Sequence, residues 1–175
     1  MTSFRDILNK ELRTTSEIDS DTYDALDKVQ YKEKVVGLIN KALTDEITAA
    51  SAYLAMAQIT PSENIAKQLE EHAQDEFGHY KKLISFAYNH NLCEFIEFSM
   101  DYCGANAIPN DTFEMLAIVQ SLEQEAIQDY KTIALLAREQ GDIETEEFFM
   151  DLMEDEISHF DELARYTNQK RELGN

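Results

Sequence analysis

The chain has 175 residues, the size of one domain with a continuous core. Five glycines, two prolines and no tryptophan, set against long runs of Ala, Leu, Ile, Glu, Gln and Met at helical spacing, favour an all-α fold over any sheet. A net charge of −20, from 35 acidic and 15 scattered basic side chains, leaves no basic surface for phosphates and argues against nucleic acid as a partner.

Residues 1–30 are polar, broken at Thr14-Thr15-Ser16 and acidic from Asp19 to Asp27, which predicts an N-terminal extension of short helices or an arm. It lacks the apolar stretch of a secretory leader, and no run in the chain approaches the ~20 apolar residues that span a bilayer. A cytoplasmic location without membrane contact is expected. From Tyr31 the pattern turns helical: Val35, Leu38, Ile39, Ala42, Leu43, Ile47, Ala50, Tyr53 and Leu54 recur at threes and fours up to the break at Thr60-Pro61. Thr60-Pro61-Ser62-Glu63 reads as a capping box with Thr60 as the cap, opening a second helix that ends near Asn91.

The stretch from Asn91 to Asn110 is too long for a tight turn and predicts a crossover, with a short helix around Glu94 to Met100. It holds both cysteines, Cys93 and Cys103, read as free buried thiols. Asp111 and Glu114 repeat the capping signal for a third helix, Gly141 suits its C′ position, and Asp142 caps a fourth helix at once. Junctions this short make antiparallel hairpins of the first and second helices and of the third and fourth. The prediction is an antiparallel four-helix bundle over residues 31–175.

Two strings carry one logic. Asp75-Glu76-x-x-His79 and Asp155-Glu156-x-x-His159 match at every ligand-type position, and each follows a Glu with a Tyr seven residues on, Glu46/Tyr53 and Glu123/Tyr130. A Glu and a His three apart on a helix lie roughly 60° apart around the axis and about 4.5 Å apart along it, so both reach one metal ion. A second such helix supplies a second ion, and Glu46 and Glu123 can bridge or close the pair. Four carboxylates and two neutral imidazoles balance two divalent cations, which matters because unbalanced charge inside a bundle is costly to bury. A single Glu-x-x-His is common on acidic helices; repetition at matched offsets, in a chain with four histidines, carries the metal reading.

Asp75 and Asp155 either accept the outer N–H of the opposite helix's histidine or belong to a solvated acidic face, the first being favoured. Tyr53 and Tyr130, two turns from their glutamates, either hydrogen-bond near the site or pack in the core. His72, one turn before Glu76 on the same face, lines an entry path or offers a third metal position or, the commoner situation, lies near the surface. Glu125 points to another face. His90, Cys93 and Cys103 lack a fourth ligand and match no zinc spacing.

On Glu46, Glu76/His79, Glu123 and Glu156/His159 the chain resembles the ferritin-like di-iron carboxylate superfamily, and within it the bacterioferritin and ferritin branch, from about Tyr31 to Lys170. The resemblance implies one ligand each from the first and third helices and a Glu/His pair each from the second and fourth, with a long crossover between the second and third. Bacterioferritins carry a haem-ligating Met directly after the second-helix glutamate; Phe77 stands there, so no haem is expected. Rubrerythrins add a third-helix glutamate three residues on, where this chain has Ala126, and a Cys-x-x-Cys domain that it lacks. The 16 residues after His159 are hardly enough for the fifth helix of the large ferritin cages, which counts against a standard 24-subunit shell and leaves a smaller shell, a dimer or a protein housed inside another container as the alternatives, with a homo-oligomer expected.

The function so implied is ferroxidase chemistry. Two Fe²⁺ per chain, with Mn²⁺ an alternative in one position, are oxidised by dioxygen or peroxide for iron storage or detoxification. The rival readings are a di-iron oxidase or peroxidase acting on another substrate, and a non-enzymatic acidic helical assembly protein.

Overall fold

The computed structural model of the chain describes residues 28–96 and 111–173. Four long helices occupy nearly all of this: α1 (Lys28–Ile59), α2 (Glu63–Asn89), α3 (Thr112–Gln140) and α4 (Ile143–Leu173), with a short 3₁₀ turn at Cys93–Phe95. The expected N-terminal extension, Cys103, and most of the crossover with the predicted helix around Glu94 to Met100 lie outside the described residues, apart from that 3₁₀ turn.

The helix ends follow local chemistry. Thr60 does not cap α2: its N–H still bonds to Met56 O at 3.0 Å, finishing α1, and the cap falls two residues later at Ser62, whose Oγ accepts from Ile65 N. Asp111 caps α3 by accepting from Phe113 N and Glu114 N. Both α2 and α3 close with the same pair of backbone bonds around a left-handed residue. Leu92 N reaches Ala87 O across Asn91 (φ 55°), and Asp142 N reaches Ala137 O across Gly141 (φ 71°). Asp142 then caps α4 through Thr145 N at 3.1 Å and accepts the Tyr31 hydroxyl at 2.9 Å, tying the start of α1 to the α3–α4 turn.

Two apolar clusters fill the interior. One gathers Val35, Ile39 and Leu43, Leu83 and Phe86, Tyr130 and Ile133, and Phe149 and Met153. The other gathers Tyr53 and Met56, Leu69 and Ala73, Met115 and Val119, and Leu163. Each helix passes from one cluster to the other: α1 and α4 run from the first to the second, α2 and α3 from the second to the first. Helices α2 and α3 are therefore parallel, so the end of α2 and the start of α3 lie at opposite ends of the bundle, about 40 Å apart for helices of this size. Every fully buried side chain of these clusters contributes about 1.5–3 kcal/mol of burial, which fixes the axial register of the four helices. Leu54, placed on the apolar stripe by spacing alone, is 40% exposed; the stripe drifts around a straight helix over so many turns.

Close backbone approach joins α1 to α2, α3 to α4 and α1 to α3. Small residues on α1, such as Ala42, Ala49 and Ala50, permit it. Helices α2 and α4 carry bulkier histidines and glutamates at the same level and stand further apart.

Candidate metal centre

Between the two apolar clusters every helix contributes polar side chains to one buried layer: Glu46 from α1, Glu76 and His79 from α2, Glu123 from α3, Glu156 and His159 from α4, all at most 8% exposed. Their donor atoms fall into two groups, each with all its atoms within 4.8 Å of one another. The first is Glu46, Glu76, His79 and Glu156; the second is Glu76, Glu123, Glu156 and His159. Glu76 and Glu156 belong to both groups. Sequence spacing had left bridging open to the lone glutamates Glu46 and Glu123; in the structure each of these belongs to one group only.

Both imidazoles turn Nδ1 inward. His79 Nδ1 lies 2.7 Å from Glu156 Oε1 and 3.4 Å from Glu76 Oε2; His159 Nδ1 lies 3.2 Å from Glu156 Oε2 and 3.3 Å from Glu76 Oε1. Nε2 faces outward in each: His79 Nε2 lies 3.3 Å from Asp155 Oδ2, and His159 Nε2 lies 3.5 Å from Asp75 Oδ2. Each Asp thus stands beside the histidine of the opposite helix. Such a partner fixes the ring so that the inner nitrogen presents its lone pair. The tyrosines also pair crosswise. The Tyr53 hydroxyl donates to Glu123 and the Tyr130 hydroxyl to Glu46, so each phenol orients a carboxylate on the other hairpin.

Proton distribution follows from burial and from this crowding. Burial lowers both imidazoles, but the surrounding carboxylates outweigh it, holding His79 far above its ordinary value and His159 up at about 12. Burial would raise Glu76 and Glu156 too, yet the two imidazoles pull both below the usual carboxylate range. Burial, reinforced by the neighbouring carboxylates, drives Glu46 well above that range and Glu123 to about 8. The layer is therefore neutral without metal, with two anions, two imidazolium cations and two protonated carboxyls. It is equally neutral when four protons are exchanged for two divalent ions.

The layer fits a pair of cations. Glu46 Oε2, Glu76 Oε1, His79 Nδ1 and Glu156 Oε1 are buried and crowded together, yet none makes a well-aligned hydrogen bond, although native interiors satisfy the great majority of such atoms. Mixed carboxylate and imidazole donors suit iron, manganese and zinc.

Other expectations divide. His72 is 3% exposed, not near the surface, because Tyr53 stacks on its ring and His159 meets it edge-on. Cys93 is exposed rather than buried, and among the described residues no ligand group includes it or His90. The His90 ring stacks on Phe86, with Nδ1 2.9 Å from Phe86 O. Glu125 is exposed, as its spacing predicted. Spacing analysis missed Lys82, whose Nζ lies 2.9 Å from Asp155 Oδ2. The signal was present, since Lys82 follows His79 by one turn on the same face.

A family model for the ferritin-like domain matches residues 36–172. No curated protein matches the chain by sequence. Among solved structures, the chain is similar to Rhodobacter capsulatus bacterioferritin, described with a metal-free dinuclear site and a haem iron. The match has 27% identity and a TM-score of 0.68, and covers 81% of this chain and 88% of that one. With four helices built around one carboxylate and imidazole layer, and a family match over most of its length, this chain belongs to the ferritin-like domain family.

Proposed function

We propose that this protein is a ferroxidase, with Fe²⁺ as its substrate. The observation that carries the reading is the pair of overlapping ligand groups sharing Glu76 and Glu156, since two adjacent one-electron donors match an oxidant that accepts electrons in pairs. Two Fe²⁺ give up one electron each. Dioxygen takes both with two protons to become hydrogen peroxide, or peroxide takes both with two protons to become two waters.

Glu46 and His79 would hold one Fe²⁺ and Glu123 and His159 the other, with Glu76 and Glu156, common to both groups, completing each set. Asp155 and Asp75 hold the two rings, and Tyr130 and Tyr53 hold the two terminal carboxylates. Hard carboxylate oxygens favour the ferric product. The cleft beside the layer is lined by polar side chains such as Gln68, Glu71, Asp75 and Lys82, which suits ion traffic better than an apolar organic substrate. Storage or detoxification of iron in the cytoplasm by a homo-oligomer is the corresponding role. Mn²⁺ is an alternative occupant of one position. Phe77 offers no ligand atom to a haem.

Anaerobic Fe²⁺ loading followed by oxygen, with iron absorbance and oxygen consumption read together, tests the proposal. Wild-type protein should oxidise two Fe²⁺ per chain in a fast phase. Glu46→Ala and Glu123→Ala should each abolish that phase while helicity stays near normal; retention of the fast phase in both variants overturns the assignment.

A further inference from the structure

The pattern shared by the two halves of the chain fails at the charge that follows each histidine of the buried layer. Three residues after His79 stands Lys82, whereas three residues after His159 stands Glu162. Both side chains line the cleft of about 390 Å³ that opens between α2 and α4 beside the layer. Lys82 follows His79 toward the Phe86 cluster and Glu162 follows His159 toward the Leu163 cluster, so the two ends of one opening carry opposite charge.

The other carboxylates of the cleft, Glu71, Asp75 and Asp155, sharpen this contrast. Asp155 Oδ2 takes the Lys82 ammonium at 2.9 Å, and Glu71 shares Lys67 at 3.2 Å. Among the described residues neither Asp75 nor Glu162 pairs with a lysine or arginine; Asp75 stands 3.5 Å from His159 Nε2, and Glu162 stands 3.7 Å from His72 Nε2. A cation arriving on the His159 side therefore meets two uncompensated carboxylates, and one arriving on the His79 side meets an ammonium. The two rings lie 5.7 Å apart between centroids, inside the ~10 Å over which charges stay effective at 0.1 M salt.

We propose that Lys82 sets the order in which divalent ions enter the layer: its ammonium slows arrival on the His79 side, so that the His159 side fills first and the His79 side second. Lys82 touches no ion and is a positioning residue, acting by its charge and through Asp155. Because it also holds Asp155 against His79, it slows departure as well as arrival, and the order is one of rates. A unit charge acting on a dication at this range, partly screened by water, changes an association rate about three- to tenfold. That the ions are Fe²⁺ awaiting oxidation rests on the ferroxidase reading; the order of entry applies to any divalent ion.

Stopped-flow binding of Co²⁺ to the full-length metal-free chain, read by the visible absorption of the bound ion, tests it. Glu46→Ala leaves the His159-side group whole, and Glu123→Ala leaves the His79-side group whole. At low ionic strength the first variant should bind its ion about three- to tenfold faster than the second. Adding Lys82→Met to Glu123→Ala should raise its association rate by that factor, while the same addition to Glu46→Ala should change little. Salt at about 0.5 M should erase both differences. A lysine that only braced Asp155 would alter dissociation alone, and would do so at any salt. Equal association rates in the two single variants, a His79-side rate that Lys82→Met leaves unchanged, or a gain that persists in high salt overturns the ordering. If Lys82→Met loses helicity, Lys82→Gln takes its place. Ordered Co²⁺ uptake without fast Fe²⁺ oxidation by the wild type would defeat the ferroxidase reading and leave the ordering standing.

Discussion

The two halves of the buried polar layer carry matching carboxylate and imidazole side chains in unlike surroundings. On the His79 side, Asp155 is clamped by Lys82, the imidazole is 3% exposed, and the neighbouring cluster is rich in aromatic rings such as Phe86 and Phe149. On the His159 side, the supporting Asp75 is 61% exposed, Glu162 stands where the other half has a lysine, and a second imidazole lies against the ring. Repetition of a motif makes two similar sets of donors. What surrounds them differs: one half is braced by a lysine, while the other faces a carboxylate and a second imidazole.

The sharpest way to break this comparison is to remove a ligand. Glu76→Ala or Glu156→Ala, lying in both groups, should abolish tight binding of both ions, a loss greater than the ~100-fold associated with supporting residues. Glu46→Ala should spare the His159-side ion, and Glu123→Ala the His79-side ion. If Co²⁺ stoichiometry falls equally in all four variants, the halves do not act separately.

The supporting carboxylates come next. Asp155→Asn and Asp75→Asn should each weaken one ion by about 10–100-fold, with Asp155 the more costly because Lys82 holds it in place. Equal losses would show that the lysine adds nothing.

Tyr130→Phe and Tyr53→Phe should each destabilise the metal-free protein by about 1–3 kcal/mol, since each leaves a buried carboxyl without its donor. Thermal melts of metal-free protein measure this, and loading with metal should shrink the difference.

The gentlest probe is pH. Glu46, Glu123, His79 and His159 all have folded values above their ordinary ones, so the folded state holds protons that the unfolded chain releases first. Their stabilisation is complete below the ordinary values and is lost as pH rises through the folded ones. His72, lowered chiefly by burial, acts in the opposite sense, and it is a single group. The melting temperature of the metal-free protein should therefore fall between pH 6 and 8. Uptake of two divalent ions near pH 7 should release close to four protons per chain, from Glu46, Glu123, His79 and His159. Above about pH 8, Glu123 sheds its proton in advance, so release should fall toward three and the His159 side should fill more readily. Constant release across that range would remove the distinction between Glu46 and Glu123.

Helix type, hairpin order and the six side chains that meet in the buried polar layer were readable from the chain because each rests on local spacing: Glu-x-x-His brings two donors to one face, and Asp111, Gly141 and Asp142 punctuate the backbone wherever they occur. What spacing hid was tertiary. The crosswise tyrosines needed the relative height of α1 and α3, the sharing of Glu76 and Glu156 needed the separation of α2 from α4, and the burial of His72 depended on Tyr53 arriving from another helix. The shift of the α2 cap from Thr60 to Ser62 has a nearer cause, as two hydroxyl residues flank one proline and α1 kept the first for its own last turn.

The bond from Tyr31 to Asp142 has a practical corollary. One aspartate serves at once as a cap, as the corner of the second hairpin and as the mooring for the opening turn of the first. Tyr31 is consequently held at that corner, about 22 Å along the axis from Glu46 by helix rise. Loosening this mooring therefore acts about four turns away from the carboxylates.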